Sequence, residues 1–412
     1  MSRQAKPSSG TPGFDPGQLR SQFAILERDI AWLDNAATTQ RPETVLLAMD
    51  RFSRHHNANT RRSVHQLGME ATAAYEGARA RVAQFLGAGA PEEVIFTSGT
   101  TAAINVVAAG LARWEIGPGD EIWVSAMEHH SNWVPWQQVA HAMGANLKVI
   151  PLLPEGRLDL AAFRKGLSGR RTRWVAIPWV SNVLGAVNEV REVCDAAHQA
   201  GARVLVDGAQ GVAHLPVDVA EMDCDFFAFS SHKMYGPMGS GALWGRRKLL
   251  DQMQPLLFGG EMIARVNEEA STWAEVPYRF EAGTPHVPGA IGLDAAIQWV
   301  QALPQAAHTH VSSLTQMAVE GLAVMKGVQV WGPTEGRISL VSFSVKGVHA
   351  HDVAQVLDGR GVAVRAGHMC AQPLMRHLGI ESAVRASFAP YNTQEEVLRL
   401  LEGILAAQEL FT

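Results

Sequence analysis

From about residue 70, short runs rich in β-branched and aromatic residues recur between helix-length segments, and this alternation limits the possible folds more than any other feature of the chain. EEVIFTSG, DEIWVSA, RWVAIPWVSN, ARVLVDGA and FFAFSSHK, with GALWG after the last, are almost continuously apolar. A strand with one solvated face alternates polar and apolar residues, whereas a strand covered on both faces does not. The runs therefore predict a mostly parallel sheet with helices on both sides, an α/β architecture. The character changes after about residue 295. A helical segment around AAIQWVQAL leads into ISLVSFSV, GVAVRAG and VRASFAPY, whose polar interruptions suit a smaller α+β domain. FDPGQLRSQFAIL reads as a short amphipathic helix outside the large sheet. The expected organisation is a large domain over 31–294 and a smaller one built from 1–30 and 295–412.

With 412 residues, 47% of them hydrophobic, the chain can bury a core large enough for more than one domain. Net charge is -5 and the Lys and Arg residues are scattered, which leaves no electrostatic footprint for nucleic acid or an anionic membrane. Cys194, Cys224 and Cys370 are widely spaced and odd in number. They make neither a disulfide framework nor a CxxC metal site, so a reducing compartment is expected. The polar start MSRQAKPSSGTPGFDPG has no apolar h-region, and no run approaches the ~18 apolar residues of a membrane span. A cytoplasmic enzyme acting on small molecules, with protein partners, fits these features.

Certain segments carry chemistry. VLVDGAQ brings Asp207 to the end of an apolar strand, with Gln210 three residues on. In open α/β sheets ligands lie beyond the carboxyl ends of strands, although a strand-end Asp can equally cap the next helix. FFAFSSHKMYGPMGSGALWG places Ser230, His232 and Lys233 after another strand and before a Gly- and Pro-rich turn. A lysine on so apolar a stretch suits an amine whose pKa is depressed by desolvation, the state needed for Schiff-base chemistry. FTSGTTAAINVVAAGL runs from a strand into a helix whose free N–H groups, with Thr100 and Thr101, form either an anion cradle or a plain N-cap. It lacks the Gly-Lys-Ser/Thr of a Walker loop. AMEHHSNWVPW sets His129 and His130 just past EIWVSA, where a neutral imidazole could stack on a planar ring. Without HExxH spacing, a metal reading is weak. VAVRAGHMCAQPLM puts Cys370 in a loop of small and polar residues, with Arg365 and His368 close enough to favour a thiolate. Cys194 and Cys224 read as buried, inert thiols.

Together VDGAQ, FSSHKMYGP, MEHHSNWVPW, WVSNVLG, FEAGTP, VRAGHMC and RASFAPYNTQEEV resemble, in order and spacing, the class V aminotransferase-like enzymes that use pyridoxal phosphate (PLP). More narrowly, they resemble the group II cysteine desulfurases of the SufS and CsdA type, closest to CsdA-like members. The resemblance covers nearly the whole chain and implies the fold type I PLP-dependent transferase architecture. It implies Lys233 as the lysine that carries PLP and moves the substrate Cα proton, and Asp207 as the carboxylate facing the pyridine nitrogen. An opposing charge there is worth about 1.4 to 4 kcal/mol in favour of the protonated ring. By the same resemblance Gln210 meets the ring hydroxyl, His129 stacks on the ring, and Thr101, Ser230 and His232 hold the phosphate with Thr100 beside them. Thr284 matches a threonine that reaches the phosphate of the partner subunit, which implies a homodimer. Asn182 and Arg385 hold the substrate amino acid, with Arg365 beside them, and Cys370 becomes the persulfide. The implied activity converts L-cysteine to L-alanine and supplies sulfur, through a SufE/CsdE-like acceptor, to iron–sulfur cluster or thio-cofactor assembly. Selenocysteine and cysteine sulfinate are alternative substrates of such a site.

This chain departs from the family pattern at a few places. Arg61 stands where the first histidine of VHRGIH is common, Ser98 where an Arg precedes the turn, Ala102 where a Glu follows Thr-Thr, and Met369 at the second His of GHHC. These changes touch dimer-edge contacts, turnover and choice of acceptor rather than the PLP core.

Overall fold

A computed structural model describes residues 14–167 and 169–411, so the low-complexity start of the chain lies outside the described residues. The apolar runs form a seven-stranded sheet in the order Val94–Thr97, Gly241–Gly245, Phe226–Ser230, Arg203–Asp207, Thr172–Pro178, Glu121–Ser125 and Asn146–Ile150. All neighbours are parallel except Gly241–Gly245, which runs antiparallel to both strands beside it. Arg203–Asp207, Phe226–Ser230 and Gly241–Gly245 are buried along almost their whole length, as expected for strands covered on both faces. Asn146–Ile150 was not apparent as a strand in the sequence. It lies at the sheet edge, its residues are largely exposed, and its polar composition carries no two-sided apolar signal.

A second, antiparallel sheet has the order Val328–Trp331, Leu340–Val345, Ala383–Ser387 and Arg365–Gly367. The helices Gln305–Ala323, Ala350–Asp358 and Gln394–Phe411 pack on it around a core that includes Leu314, Phe343, Val353 and Leu400. The expected boundary at 294–295 falls inside the helix Val287–Gln301. The amphipathic segment near the N-terminus forms a helix, Pro16–Arg20, capped by the Asp15 carboxylate. Its Arg20 pairs with Glu396 of the C-terminal helix at 2.8 Å, and Phe23 packs edge-on against Trp299 and Tyr391.

The segment 181–186 joins the two sheets. Ser342 Oγ donates to the Val183 carbonyl at 2.6 Å, and Arg385 Nη1 donates to that of Asn182 at 2.8 Å. Among the described residues no helix is long and apolar enough to cross a membrane, and no group of His, Cys, Asp and Glu is arranged to hold a metal.

Candidate active site

Six strands of the large sheet point the same way, and five of them deliver a candidate residue at or just past the carboxyl end. Val94–Thr97 leads to Thr100 and Thr101, Glu121–Ser125 to His129, Thr172–Pro178 to Asn182, Arg203–Asp207 to Asp207 and Phe226–Ser230 to Lys233. Parallel topology thus gathers on one edge residues that lie far apart along the chain.

Lys233 ends the turn Ser231–Lys233. Desolvation lowers its pKa, and the charges of Asp207 and Cys370 oppose that effect while Arg385 and Arg365 add to it. Asp207 is buried and its pKa is raised, chiefly by desolvation, against the stabilising influence of Lys233 and a 2.9 Å bond from the Ala209 N–H. His129 is pulled down to about 3 by burial first and then by Lys233. Its Nδ1 accepts the Ser131 N–H at 3.1 Å, which leaves the proton of the neutral ring on Nε2. Gln210 is anchored by its amide, which donates to the Ala36 carbonyl at 2.7 Å.

A cradle closes the other end of the crevice. Gly99 has φ +141, and a Cβ there would lie 3.1 Å from Ser230 Oγ, so glycine allows the backbone to close on the serine. Ser230 Oγ accepts the Thr100 N–H at 2.8 Å and shares a second bond with Thr100 Oγ1 at 2.7 Å. Thr101 is exposed in the first turn of the helix Thr100–Val107. His232 Nδ1 and Ser231 Oγ are buried without a partner, and burial draws His232 down to about 4. The unpaired, buried His232 Nδ1 next to the desolvated amine, with Ser230 Oγ and Thr100 at a helix start, forms a donor set that fits PLP, phosphate at the cradle and aldehyde at Lys233.

The second sheet supplies the arginines. Arg365 and Arg385 are cross-strand neighbours, and Asp34 pairs with both, at 2.9 and 3.3 Å. Arg385 is buried, its Nε has no partner, and burial pulls its pKa down to about 10. One carboxylate, Asp34, is shared between two guanidiniums, so Arg385 keeps the capacity for a second anion that a substrate carboxylate requires. Asn182 does not leave its amide free, since Nδ2 donates to the Met369 carbonyl at 2.8 Å. Cys370 is exposed in the short segment between strand Arg365–Gly367 and helix Gln372–Leu378. Cys194 and Cys224 are buried and pushed upward by desolvation, Cys194 to about 12.

Thr284 is exposed. The preceding Glu281 is buried, takes Arg79 at 2.6 Å and Arg61 at 2.6 Å, and accepts the Phe96 N–H at 2.8 Å. Arg61 also lies 4.1 Å over the Tyr278 ring, so the arginine found in place of the family histidine has an ion-pair role of its own. Asp34, Glu281 and Glu128 were not singled out in the sequence. The partners of Asp34 and Glu281 lie hundreds of residues away, and no local motif encodes such pairs; those of Glu128 are Ser125 and Asn132, within four residues on the same turn.

The class V aminotransferase family model matches residues 31–400. A "Probable cysteine desulfurase" of Halalkalibacterium halodurans is 47% identical over 96% of this chain and 98% of its own length. The "Cysteine desulfurase" of Haloferax volcanii is 43% identical, with the same coverage. Among solved structures, the cysteine desulfurase CsdA of Escherichia coli superposes with a TM-score of 0.91 at 41% identity, covering 97% of this chain and all of CsdA. The apo cysteine desulfurase of Thermococcus onnurineus gives 0.91 at 38% identity over 98% of this chain and 99% of its own. The fold is therefore that of the PLP-dependent cysteine desulfurases, and the chain belongs to the class V aminotransferase family, in its cysteine desulfurase branch.

Proposed function

We propose that this cysteine desulfurase works through Lys233, Asp207, His129, Arg385 and Cys370 in the roles the family motifs assign, with PLP held at Lys233 and at the cradle of Thr100, Thr101, Ser230 and His232. The observation that carries the reading is that hydrogen bonds tie the strand-end residues to the second sheet and the cysteine segment: Asn182 to the Met369 carbonyl, Arg385 to the Asn182 carbonyl, and the His130 N–H, next to His129, to the Cys370 carbonyl. PLP, when bound, supplies an electron sink for charge developing at the substrate Cα. Asp207 would present its carboxylate to the pyridine nitrogen, and Gln210 and His129 would hold the ring. Arg385, with Arg365 and Asn182, orients the L-cysteine carboxylate. Lys233, depressed by desolvation, takes the Cα proton as a neutral amine. Cys370 Sγ then attacks the substrate sulfur. The carbon–sulfur bond breaks, a sulfur–sulfur bond forms, and protons returned to the carbon skeleton release alanine.

The exposure of Cys370 supports onward transfer of the persulfide to a SufE/CsdE-like protein. The exposed Thr284, with Leu257, Phe258 and Val266 also exposed, supports a homodimer in which Thr284 reaches the phosphate of the other subunit. We retain the two-domain division at 294–295, and a cytoplasmic site of action, as parts of this proposal.

The test is Cys370→Ser as holoenzyme. Alanine and sulfide production from L-cysteine is expected to fall at least a hundredfold, on the order of a lost nucleophile, while the cofactor absorbance stays. Desulfuration at the parent rate would remove Cys370 from the mechanism.

A further inference from the structure

The turn after Glu121–Ser125 sends successive side chains to different places. Glu128 points into the core, where its carboxyl accepts Ser125 Oγ at 2.7 Å and Asn132 Nδ2 at 2.8 Å. His129 belongs to the cofactor crevice. His130 faces the nucleophile segment, and no step described so far uses it.

We infer that His130 is a positioning residue for sulfur transfer, holding the Cys370 segment in its docked place by gripping the backbone on either side of Ala371. Its main-chain N–H donates to the Cys370 carbonyl at 2.7 Å, and its ring Nε2 accepts the Gln372 N–H at 3.3 Å. The inference rests on the reading of Cys370 as the sulfur acceptor.

A hold of this kind is needed because of the backbone at that point. Met369 and Cys370 have φ +49 and +54, two consecutive non-glycine residues in the left-handed region, which persists only where the surroundings over-determine it. Some of the bonds in the segment are internal and travel with it: Cys370 N–H to His368 Nδ1 at 3.1 Å, and Ala371 N–H to the His368 carbonyl at 2.8 Å. The anchors from outside are Asn182 on the Met369 carbonyl and His130 on Cys370 and Gln372. Met369 also buries its side chain, so the segment is pinned by packing before the cysteine and by His130 after it. Cys370 itself stays exposed, so the grip orients the thiol without enclosing it. Glu128 fixes the turn from within, and the His130 ring packs 5.7 Å from the ring of His368 in the cysteine segment.

The test compares parent, His130→Ala and His130→Gln holoenzymes. The rate of the first Cys370 persulfide is measured by rapid quench, thiol alkylation and mass spectrometry. His130→Ala keeps its main-chain donor and loses the ring acceptor, so persulfide formation is expected to slow about tenfold. Cofactor absorbance and the KM for cysteine are expected to stay at the parent values. The amide oxygen of His130→Gln can take the same N–H, and most of the rate is expected to return. The proposal is overturned if His130→Ala forms persulfide at the parent rate, if His130→Gln is as slow as His130→Ala, or if His130→Ala loses the cofactor, which would route its effect through His129. Cys370→Ser separates the two claims. If it desulfurates normally, the reading of the nucleophile fails. If it is inactive while His130→Ala matches the parent, only the grip fails.

Discussion

The lysine and the cysteine are supported in opposite ways. Lys233 follows a strand whose residues Phe226, Phe227, Ala228 and Phe229 are wholly buried, and the crevice around it keeps its amine desolvated. Cys370 is exposed, on a short segment that has two residues with positive φ and is held by a handful of hydrogen bonds. The difference follows from the two halves of the chemistry. Moving a proton at carbon needs an amine with a depressed pKa, which desolvation in a packed environment provides first and the charges of Arg385 and Arg365 reinforce. Handing sulfur to another protein needs a thiol that solvent and partner can reach, so the segment trades rigidity for access.

Replacing Lys233 with Ala breaks the buried side of this comparison and has the largest expected effect. Alanine formation from cysteine should fall at least a thousandfold, and the absorbance of lysine-bound cofactor should disappear, both measured on one sample. Arg385→Lys is next. Lysine keeps the charge but loses the fork, so the KM for cysteine should rise about tenfold to a hundredfold with a smaller change in kcat, measured by steady-state kinetics. A kcat effect without a KM effect would argue that Arg385 supports the Asn182 carbonyl rather than the substrate.

Acid should weaken the buried side selectively. His129 and His214 are held near 3 and 4 by desolvation, whereas a histidine in the unfolded chain titrates near 6.5. The folded state therefore binds fewer protons than the unfolded one below about pH 6.5. The stability these groups give is complete above that value and is lost as pH falls towards 4 and then 3. Each contributes a slope of up to about 1.4 kcal/mol per pH unit in that window. Denaturant midpoints of the parent and of His214→Phe should converge near pH 7 and separate at pH 5. Parallel curves would show that His214 is not held neutral.

The strands of the large sheet were legible because burial on both faces leaves a continuous apolar run that periodicity can detect. The edge strand Asn146–Ile150 escaped for the complementary reason. Most of the crevice was legible too, since a strand end followed by Lys, Asp or His is a local signal and parallel topology turns such signals into one site. The supports were not. Asp34 serves Arg365 and Arg385 across more than 300 residues, and Glu281 joins Arg61, Arg79 and the Phe96 N–H from separate elements. Asn182 was expected to face substrate, and its amide also ties down Met369, because a loop turned back by positive φ presents carbonyls that composition does not reveal.

The smallest effect comes from the two remaining thiols, and it sharpens the contrast by holding the element constant. Cys194 sits in the helix Val190–Gln199 and Cys224 precedes the strand Phe226–Ser230, both fully buried and both shifted away from the thiolate by desolvation. A buried thiol of this kind acts as a small apolar side chain. Cys194→Ala should therefore leave desulfuration within twofold of the parent and lower stability by about 1 to 2 kcal/mol through the small void it creates, read from the denaturant midpoint. Alkylation of native protein should label Cys370 alone. A loss of activity in Cys194→Ala with unchanged stability would mean that sulfur moves through the interior, and the division between a buried carbon site and an exposed sulfur site would no longer hold.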